Sequence, residues 1–522
     1  MVTLKRISKT KVKFIPETSK ELRLISKNLT FVIEGASFSQ KYQDGKWDGK
    51  KYFFKNKNEI AFGLSKYVCE ICEENGIEFK LTDFDKFNPE LDISKIALSE
   101  GLREHQVEAV ETFFDNPFGP HGIAMVPTRG GKTFTATECI RITRLLGYKK
   151  SIFIVDGTDL FTQTIAEFAK FFNIAEDEIG QLQGAGVWDF KEINVAMIQS
   201  ISRIFFPSKE VSKTVIVNGE KVKRVRKKNE SEIASDKSKK YKLEKLIRDT
   251  DFVIIDEVQE YTSSSRLGTI KKFKSLSFLL SLSATPFKSE GEIGNLLLRE
   301  VLGDVIYEVK EDPLIESGSL VKNKVIIISF EDEIILGDTY LDYYNKNIIH
   351  NENRNKIILN LVVILERLKL KSLFMIARKE HGHKLAKESG VTYVSGDDAS
   401  DVREKEKTEF LEKEAGTLFA SDIYKKGVSL NSCEVLVSVS GGKEKSAIIQ
   451  KRGRILAAVD GKLYALMIDI FDSLPYFSEH SLNRLEAYVE KVGEENVIVI
   501  DANNEDFYED LESTIKEFFN GA

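Results

Sequence analysis

From Ile96 to Asp472 short apolar runs alternate with amphipathic stretches of helical period. A chain patterned this way folds as parallel sheet with helices covering both faces. The buried-strand candidates are IAMV, SIFIVD, INVAMI, DFVIID and SFLLSLSA in a first half, and KSLFMIA, VTYVSG, TLFASD, EVLVSVS and LYALMID in a second. Two doubly wound units of similar size are expected, joined somewhere near residues 303–335. At ~150 residues per domain, the 522 residues divide into a small α+β domain (1–92), a first α/β domain (93–312) with an insertion at about 208–245, a second α/β domain (313–475) and an acidic helical extension (476–522).

Composition narrows the setting. Apolar content of 42% and charged content of 30% are those of a globular chain, and no apolar run reaches the ~18 residues of a membrane span. The start, MVTLKRISKTKVKFIPE, is basic but has no apolar core, so no secretory signal and a cytoplasmic location are expected. Cys69, Cys72, Cys139 and Cys433 are too scattered for a disulfide framework. The Cys69–Cys72 pair lies in LSKYVCEICEENG, whose apolar spacing is that of a core helix. His381 and His383 in KEHGHKLA read as a solvated helix start. With a net charge of −6, any nucleic-acid contact must come from local basic patches.

Chemistry concentrates at strand ends. Pro127-Thr128-Arg129-Gly130-Gly131-Lys132-Thr133 follows an apolar run and precedes a helix-like one. A strand, a glycine turn and a helix start make a phosphate cradle of backbone N–H groups. Lys132 would reach the β and γ phosphates of ATP, and Thr133 would place its hydroxyl on Mg²⁺. Val126 occupies the position where such loops usually begin with glycine. Further on, FVIIDEVQ ends a strand in two acids at the edge where α/β sheets bind ligands. Asp256 can hold Mg²⁺ and Glu257 can act as general base toward water. Ser283 and Thr285, in LSATP, end another strand, and hydroxyls there can sense nucleotide state. Gln450-Lys451-Arg452-Gly453-Arg454 falls on an expected helix, where an arginine can stabilise phosphoryl-transfer charge.

Two segments outside the strand pattern are basic. YQDGKWDGKK, with Trp47 between Lys46 and Lys50, suits stacking plus phosphate contact; a Trp anchoring a turn to its own small core fits equally. Between VAMIQSI and DFVIID lies an inserted basic block. In it, TVIV and KVKRV alternate with period two around Asn218-Gly219, the signal of a tight hairpin. Lys221, Lys223, Arg224 and Arg226 would give it a phosphate-contacting face. A solvated lysine loop is the alternative, and the stretch after Lys228 reads that way.

The ordered set Arg103-Glu104-His105-Gln106, PTRGGKT, DEVQ, SAT, the segment from Ser421 to Ser429 and Gln450 to Arg454 resembles superfamily 2 helicases over roughly residues 100–472. YQDGKWDGKKYFF, followed by FGL, is similar to the UvsW-type branched-DNA helicases of large tailed phages. The resemblance implies two tandem RecA-like domains behind a small α+β DNA-binding domain. It further implies that Gln106 reads adenine, that Arg103 also binds the nucleotide, that 127–133 hold ATP and Mg²⁺, and that Gln259, Ser283, Thr285 and Asp422 couple hydrolysis to movement. Gly427, Gln450 and Arg454 would approach the nucleotide, while Gly157, Thr158, Gln199 and Ser200 would grip a strand's phosphates. Gln259 replaces a usual His, and Ala457 stands where a second arginine is usual. The expected activity is ATP-dependent unwinding and branch migration of DNA by a monomer with no membrane partner, in an infected bacterial cell. An RNA helicase and a nucleotide-gated DNA-binding module are the competing expectations.

Overall fold

The computed structural model describes every residue except 55–57, 89–91, 185–187, 209, 218–219, 275, 288–290, 422–429, 442–444, 460 and 522. It forms two compact units, one of residues 1–126 with 131–309 and one of 127–130 with 310–522. Each of the larger sheets has seven parallel strands, so the expected pair of RecA-like domains behind a small α+β domain is present.

In the first unit the large sheet runs Val305–Glu308, His121–Met125, Phe278–Ser283, Phe252–Asp256, Ser151–Val155, Ile193–Met197, Gly180–Leu182. The five apolar runs read from sequence are all strands here. Because every strand is parallel, the segments after 125, 256 and 283 emerge at one edge. These strands are also neighbours, which at ~4.8 Å per strand brings the three segments within side-chain reach.

The N-terminal domain is built on a four-stranded mixed sheet, with Val2–Ser8 between Lys11–Ile15 and Phe79–Thr82, and Glu59–Ala61 at one edge. Its apolar core includes Leu296, fully buried, from the helix Glu292–Leu302 of the neighbouring α/β domain. Gly63 is required where the two meet, since a Cβ there would lie 2.1 Å from the Arg299 carbonyl oxygen. Cys69 and Cys72 are buried on the helix Ser65–Glu74. Burial pushes their thiols up to about 12 and about 11.

The inserted block departs from expectation after its hairpin. Glu210–Val217 and Glu220–Lys227 pair antiparallel as their alternation predicted, while the turn 218–219 lies outside the described residues. The stretch expected as a solvated loop after Lys228 is instead a helix, Glu230–Asp249. Its final turns carry Leu243, Leu246 and Ile247 at i, i+3, i+4 spacing, all buried in the first unit's core, and packing of that short stripe overrides a polar composition.

In the second unit the sheet order is Tyr393–Val394, Gly416–Ala420, Lys371–Met375, Val435–Ser438, Tyr464–Asp472, Lys322–Phe330, Val497–Asp501. Two of these strands were not anticipated. The stretch read as a join supplies Lys322–Phe330, a long strand between two parallel neighbours. The C-terminal stretch, expected to be helical, adds the edge strand Val497–Asp501, and the helix Phe507–Phe519 buries Phe507, Leu511 and Ile515 in the same core. His381 is also corrected. It lies near the start of the helix Lys379–Ser389 but is buried, its Nε2 2.8 Å from Asn355 Oδ1, and burial lowers its pKa to about 3.

Candidate nucleotide site

Val126 donates its N–H to the Ser283 carbonyl at 2.9 Å and is buried. It thus extends the strand into the core, which explains an apolar residue where a loop glycine is usual. The chain then turns, Gly130 N–H to Pro127 O at 3.0 Å, and passes through positive φ at Arg129 (72°) and Gly131 (82°) before the helix Lys132–Leu145. Gly131 admits no side chain: a Cβ would lie 2.2 Å from Gln106 Nε2. Gln106 is buried and holds the turn, donating to Gly131 O at 3.1 Å and accepting from Arg103 N–H at 2.9 Å. The Arg103 side chain is exposed.

Across the edge, Lys132 Nζ lies 3.2 Å from Glu257 Oε1. Asp256 is buried, and its Oδ1 accepts the Glu257 N–H at 2.9 Å. Glu257 sits at φ 52°, ψ 55°, a region that L residues enter at a cost and that recurs at functional sites. Its Oε2 accepts from Gln259 Nε2 at 2.6 Å, Gln259 Oε1 accepts from Ser283 Oγ at 2.6 Å, and Ser283 Oγ accepts from Thr285 N–H at 3.0 Å. A glutamine at 259 meets a carboxylate with its N–H₂ and a hydroxyl with its oxygen. Lys132, Glu257, Gln259, Ser283 and Thr285 therefore form one continuous polar run, and the Thr285 Oγ1 at its end is buried with no partner among the described residues.

This arrangement fits ATP and Mg²⁺. An ammonium beside a glycine-permitted helix start suits phosphate, and a hydroxyl at Thr133 with a carboxylate at Asp256 supplies the hard oxygens Mg²⁺ prefers. No cluster of metal-ligating side chains occurs among the described residues.

The residues expected to grip a strand are arranged differently from one another. Gly157 caps the helix Thr158–Phe172, and Thr158 is exposed at its first turn. Ser200 is buried, accepting Gly184 N–H at 2.9 Å. Gln199 Nε2 donates to Asp156, which Arg266 also holds at 3.0 and 3.1 Å. Asp156 and Arg266 were missed from sequence; an acid closing the strand Ser151–Val155 was the available signal. On the N-terminal domain Trp47 is half-buried, donating its Nε1–H to Lys50 O at 2.8 Å, with Lys46 paired to Asp44. Phe38, 87% exposed, and the exposed Tyr42 and Tyr52 lie on the same stretch and had not been singled out.

In the second unit Gln450 and Arg452 are buried on the helix Lys445–Gly453, and Arg454 follows it half-buried. Arg452 donates to Asn323 Oδ1 at 2.7 Å and to Glu311. Ala457 bridges Leu320. Asp422 and Gly427 lie outside the described residues. In the hairpin the Arg226 side chain is exposed, and the side chains of Lys221, Lys223 and Arg224 lie outside the described residues.

A family model described as "DNA helicase UvsW, N-terminal" matches residues 4–82, and one described as "Type III restriction enzyme, res subunit" matches 99–288. The chain is 22% identical over 508 residues to the ATP-dependent DNA helicase uvsW of Enterobacteria phage T4, covering 88% of this chain and 92% of that protein. Among solved structures, Dbp5 of S. cerevisiae bound to RNA and ADP BeF3 matches with a TM-score of 0.51 at 13% identity, covering 79% of this chain and 93% of that one. The ATP-dependent Type ISP restriction-modification enzyme LlaBIII bound to DNA matches with a TM-score of 0.52 at 13% identity, covering 84% of this chain and 35% of that one. At such identities the structural matches speak for the fold alone. The two family models and the phage relative, matched over most of its length, show an ATP-driven helicase-type chain that resembles the superfamily 2 helicases of the UvsW type.

Proposed function

We propose that this protein is an ATP-driven DNA helicase that unwinds and branch-migrates forked and four-way DNA in recombination, repair or replication, working as a monomer in the cytoplasm of an infected bacterium. The observation that carries the reading is the unbroken polar run from Lys132 through Glu257, Gln259 and Ser283 to Thr285. No helix among the described residues is long and apolar enough to cross a membrane.

When bound, Mg²⁺-ATP supplies the phosphoanhydride whose hydrolysis drives movement. Lys132 and the N–H groups at the start of its helix would bind the phosphates, while Thr133 and Asp256 would hold the metal. As Lys132 turned to phosphate it would leave Glu257 Oε1, and that carboxylate could then accept the proton of water. The altered Glu257 pulls on Gln259, and Gln259 on Ser283, so nucleotide state reaches the segment after Thr285. Strand contacts to backbone phosphate move the enzyme without sequence readout.

Phosphate release measured with ATP alone, single-stranded RNA, duplex DNA and a four-way DNA junction tests this reading. The junction should stimulate most; strongest stimulation by RNA would overturn it.

The N-terminal domain carries the preference for branches. Deleting it would expose Leu296, so point changes are the proper probe. Trp47→Ala combined with Phe38→Ala should weaken junction binding by about 1–3 kcal/mol for each base that stacks there and leave DNA-independent hydrolysis intact. Unchanged junction affinity would refute the assignment.

The hairpin acts at the fork. Replacing residues 213–226 with a short Gly-Ser linker preserves the Lys228–Asp236 ion pair at 2.6 Å and the helix behind it. Hydrolysis on single-stranded DNA should survive and junction unwinding should fall. Normal unwinding at the same salt would make the hairpin a bystander.

A further inference from the structure

In the second unit the backbone that follows Arg454 is tied down residue by residue. Leu456 O accepts the Val321 N–H at 3.0 Å, and Ala457 bridges Leu320. Ile455 O, next to Arg454 itself, accepts from Lys462 Nζ. The same ammonium donates to Cys433 O at 2.6 Å and to Asn431 O at 2.9 Å. These two carbonyls lie on the stretch that leads into the strand Val435–Ser438. One lysine thus joins the end of the arginine segment to the base of a central strand.

The demand on that lysine is exact in number. Lys462 is buried, and an ammonium offers three N–H donors and no acceptor. Three backbone carbonyls take all three. A neutral amine keeps two donors and turns a lone pair toward the third carbonyl, so deprotonation breaks one of the ties and makes that contact repulsive.

The surroundings bring this change into reach. Burial is the largest influence and lowers Lys462 to about 8. Arg129 and Lys371 act in the same direction, while Cys433 and Glu434 oppose it. The Cys433 thiol is itself pushed up to about 12 by burial, so it stays neutral while the lysine titrates. Because the folded-state value lies below the unfolded ~10.4, stability through this group rises with pH between about 8 and ~10.4. A loss of turnover in that range is therefore not an unfolding event.

We propose that Lys462 is a positioning residue for phosphoryl transfer: its ammonium, bonded to the Ile455, Cys433 and Asn431 carbonyls, fixes the backbone that carries Arg454, and loss of its proton releases that backbone. The proposal rests on the role given to Arg454 in hydrolysis.

Single-turnover phosphate release by the full-length protein on single-stranded DNA, at saturating ATP and across pH 6.5 to 9.5, tests it. Turnover of the parent should fall about five- to tenfold between pH 7 and pH 9, following the protonation of Lys462 in the nucleotide complex. Lys462→Met, which keeps the length of the side chain and removes its donors, should be roughly 10–100-fold slower at pH 7, the cost of a displaced catalytic group. Its ATP affinity should match the parent's, and its rate should show no fall toward pH 9. A parent rate that is level from pH 7 to 9 overturns the proposal, as does a Lys462→Met protein that keeps the parent's fall. Arg454→Ala supplies a comparison that leaves Lys462 in place, should the methionine variant fail to fold. It is expected to be slow and to lose the alkaline fall, since the arginine being positioned is gone. A slow Arg454→Ala protein that retains the fall overturns the role of Lys462 alone. An Arg454→Ala protein with the parent's turnover overturns the role of the arginine, and this proposal with it.

Discussion

Glu257→Gln protein is expected to bind ATP at least as tightly as the parent and to lose on the order of 10²–10⁴ in turnover, the usual contribution of a positioned base. The geometry explains the separation of the two effects. Glu257 holds Lys132 at 3.2 Å in a pair that is mostly buried, with side-chain exposures of 22% and 11%. ATP must draw Lys132 away from that carboxylate. An amide at 257 competes less for the ammonium, so binding gains or stays level, while the proton acceptor is gone. Lys132→Ala behaves in the opposite sense, since it removes the cation that phosphate needs: affinity and turnover should fall together. Equilibrium binding of a fluorescent ATP analogue alongside single-turnover phosphate release distinguishes them. Near-normal hydrolysis by Glu257→Gln would end the assignment of Glu257 as base.

Much of this site could be read from sequence because its residues follow apolar runs. Once FVIID and LLSLS are strands of a parallel sheet, the acids after one and the hydroxyls after the other must share an edge. What could not be read depends on distant partners. His381 lies on a polar helix, yet it turns inward to meet Asn355, 26 residues earlier. The buried Arg354 lies beside Asp472 at 2.7 Å across 118 residues of chain, which no local pattern announces. The strand Val497–Asp501 sits in an acidic, helix-forming context, and pairing with Lys322–Phe330 decides its conformation. Leu296 reads as part of an ordinary amphipathic helix, although its side chain completes the core of the N-terminal domain. Helix Glu230–Asp249 shows the converse, with three buried apolar residues fixing a segment whose other positions are mostly polar and exposed.

Arg454→Ala is expected to leave ATP affinity nearly unchanged and to lower turnover by about 10³, the scale of an arginine that stabilises phosphoryl-transfer charge. Rescue by the neighbouring Arg452 is the obvious objection, and its surroundings answer it. Arg452 is 1% exposed and is held by Asn323 at 2.7 Å and by Glu311. Swinging out would leave Glu311 without that cation, and breaking a buried pair by removing one partner costs about 3–5 kcal/mol. Arg452→Ala should therefore appear as a loss of that size in stability, measured by urea unfolding, with turnover per folded molecule retained. The two variants thus separate: one folds normally and hydrolyses poorly, the other folds poorly and hydrolyses normally. If Arg454→Ala keeps its turnover while Arg452→Ala loses it in fully folded protein, the roles given to the two arginines are reversed.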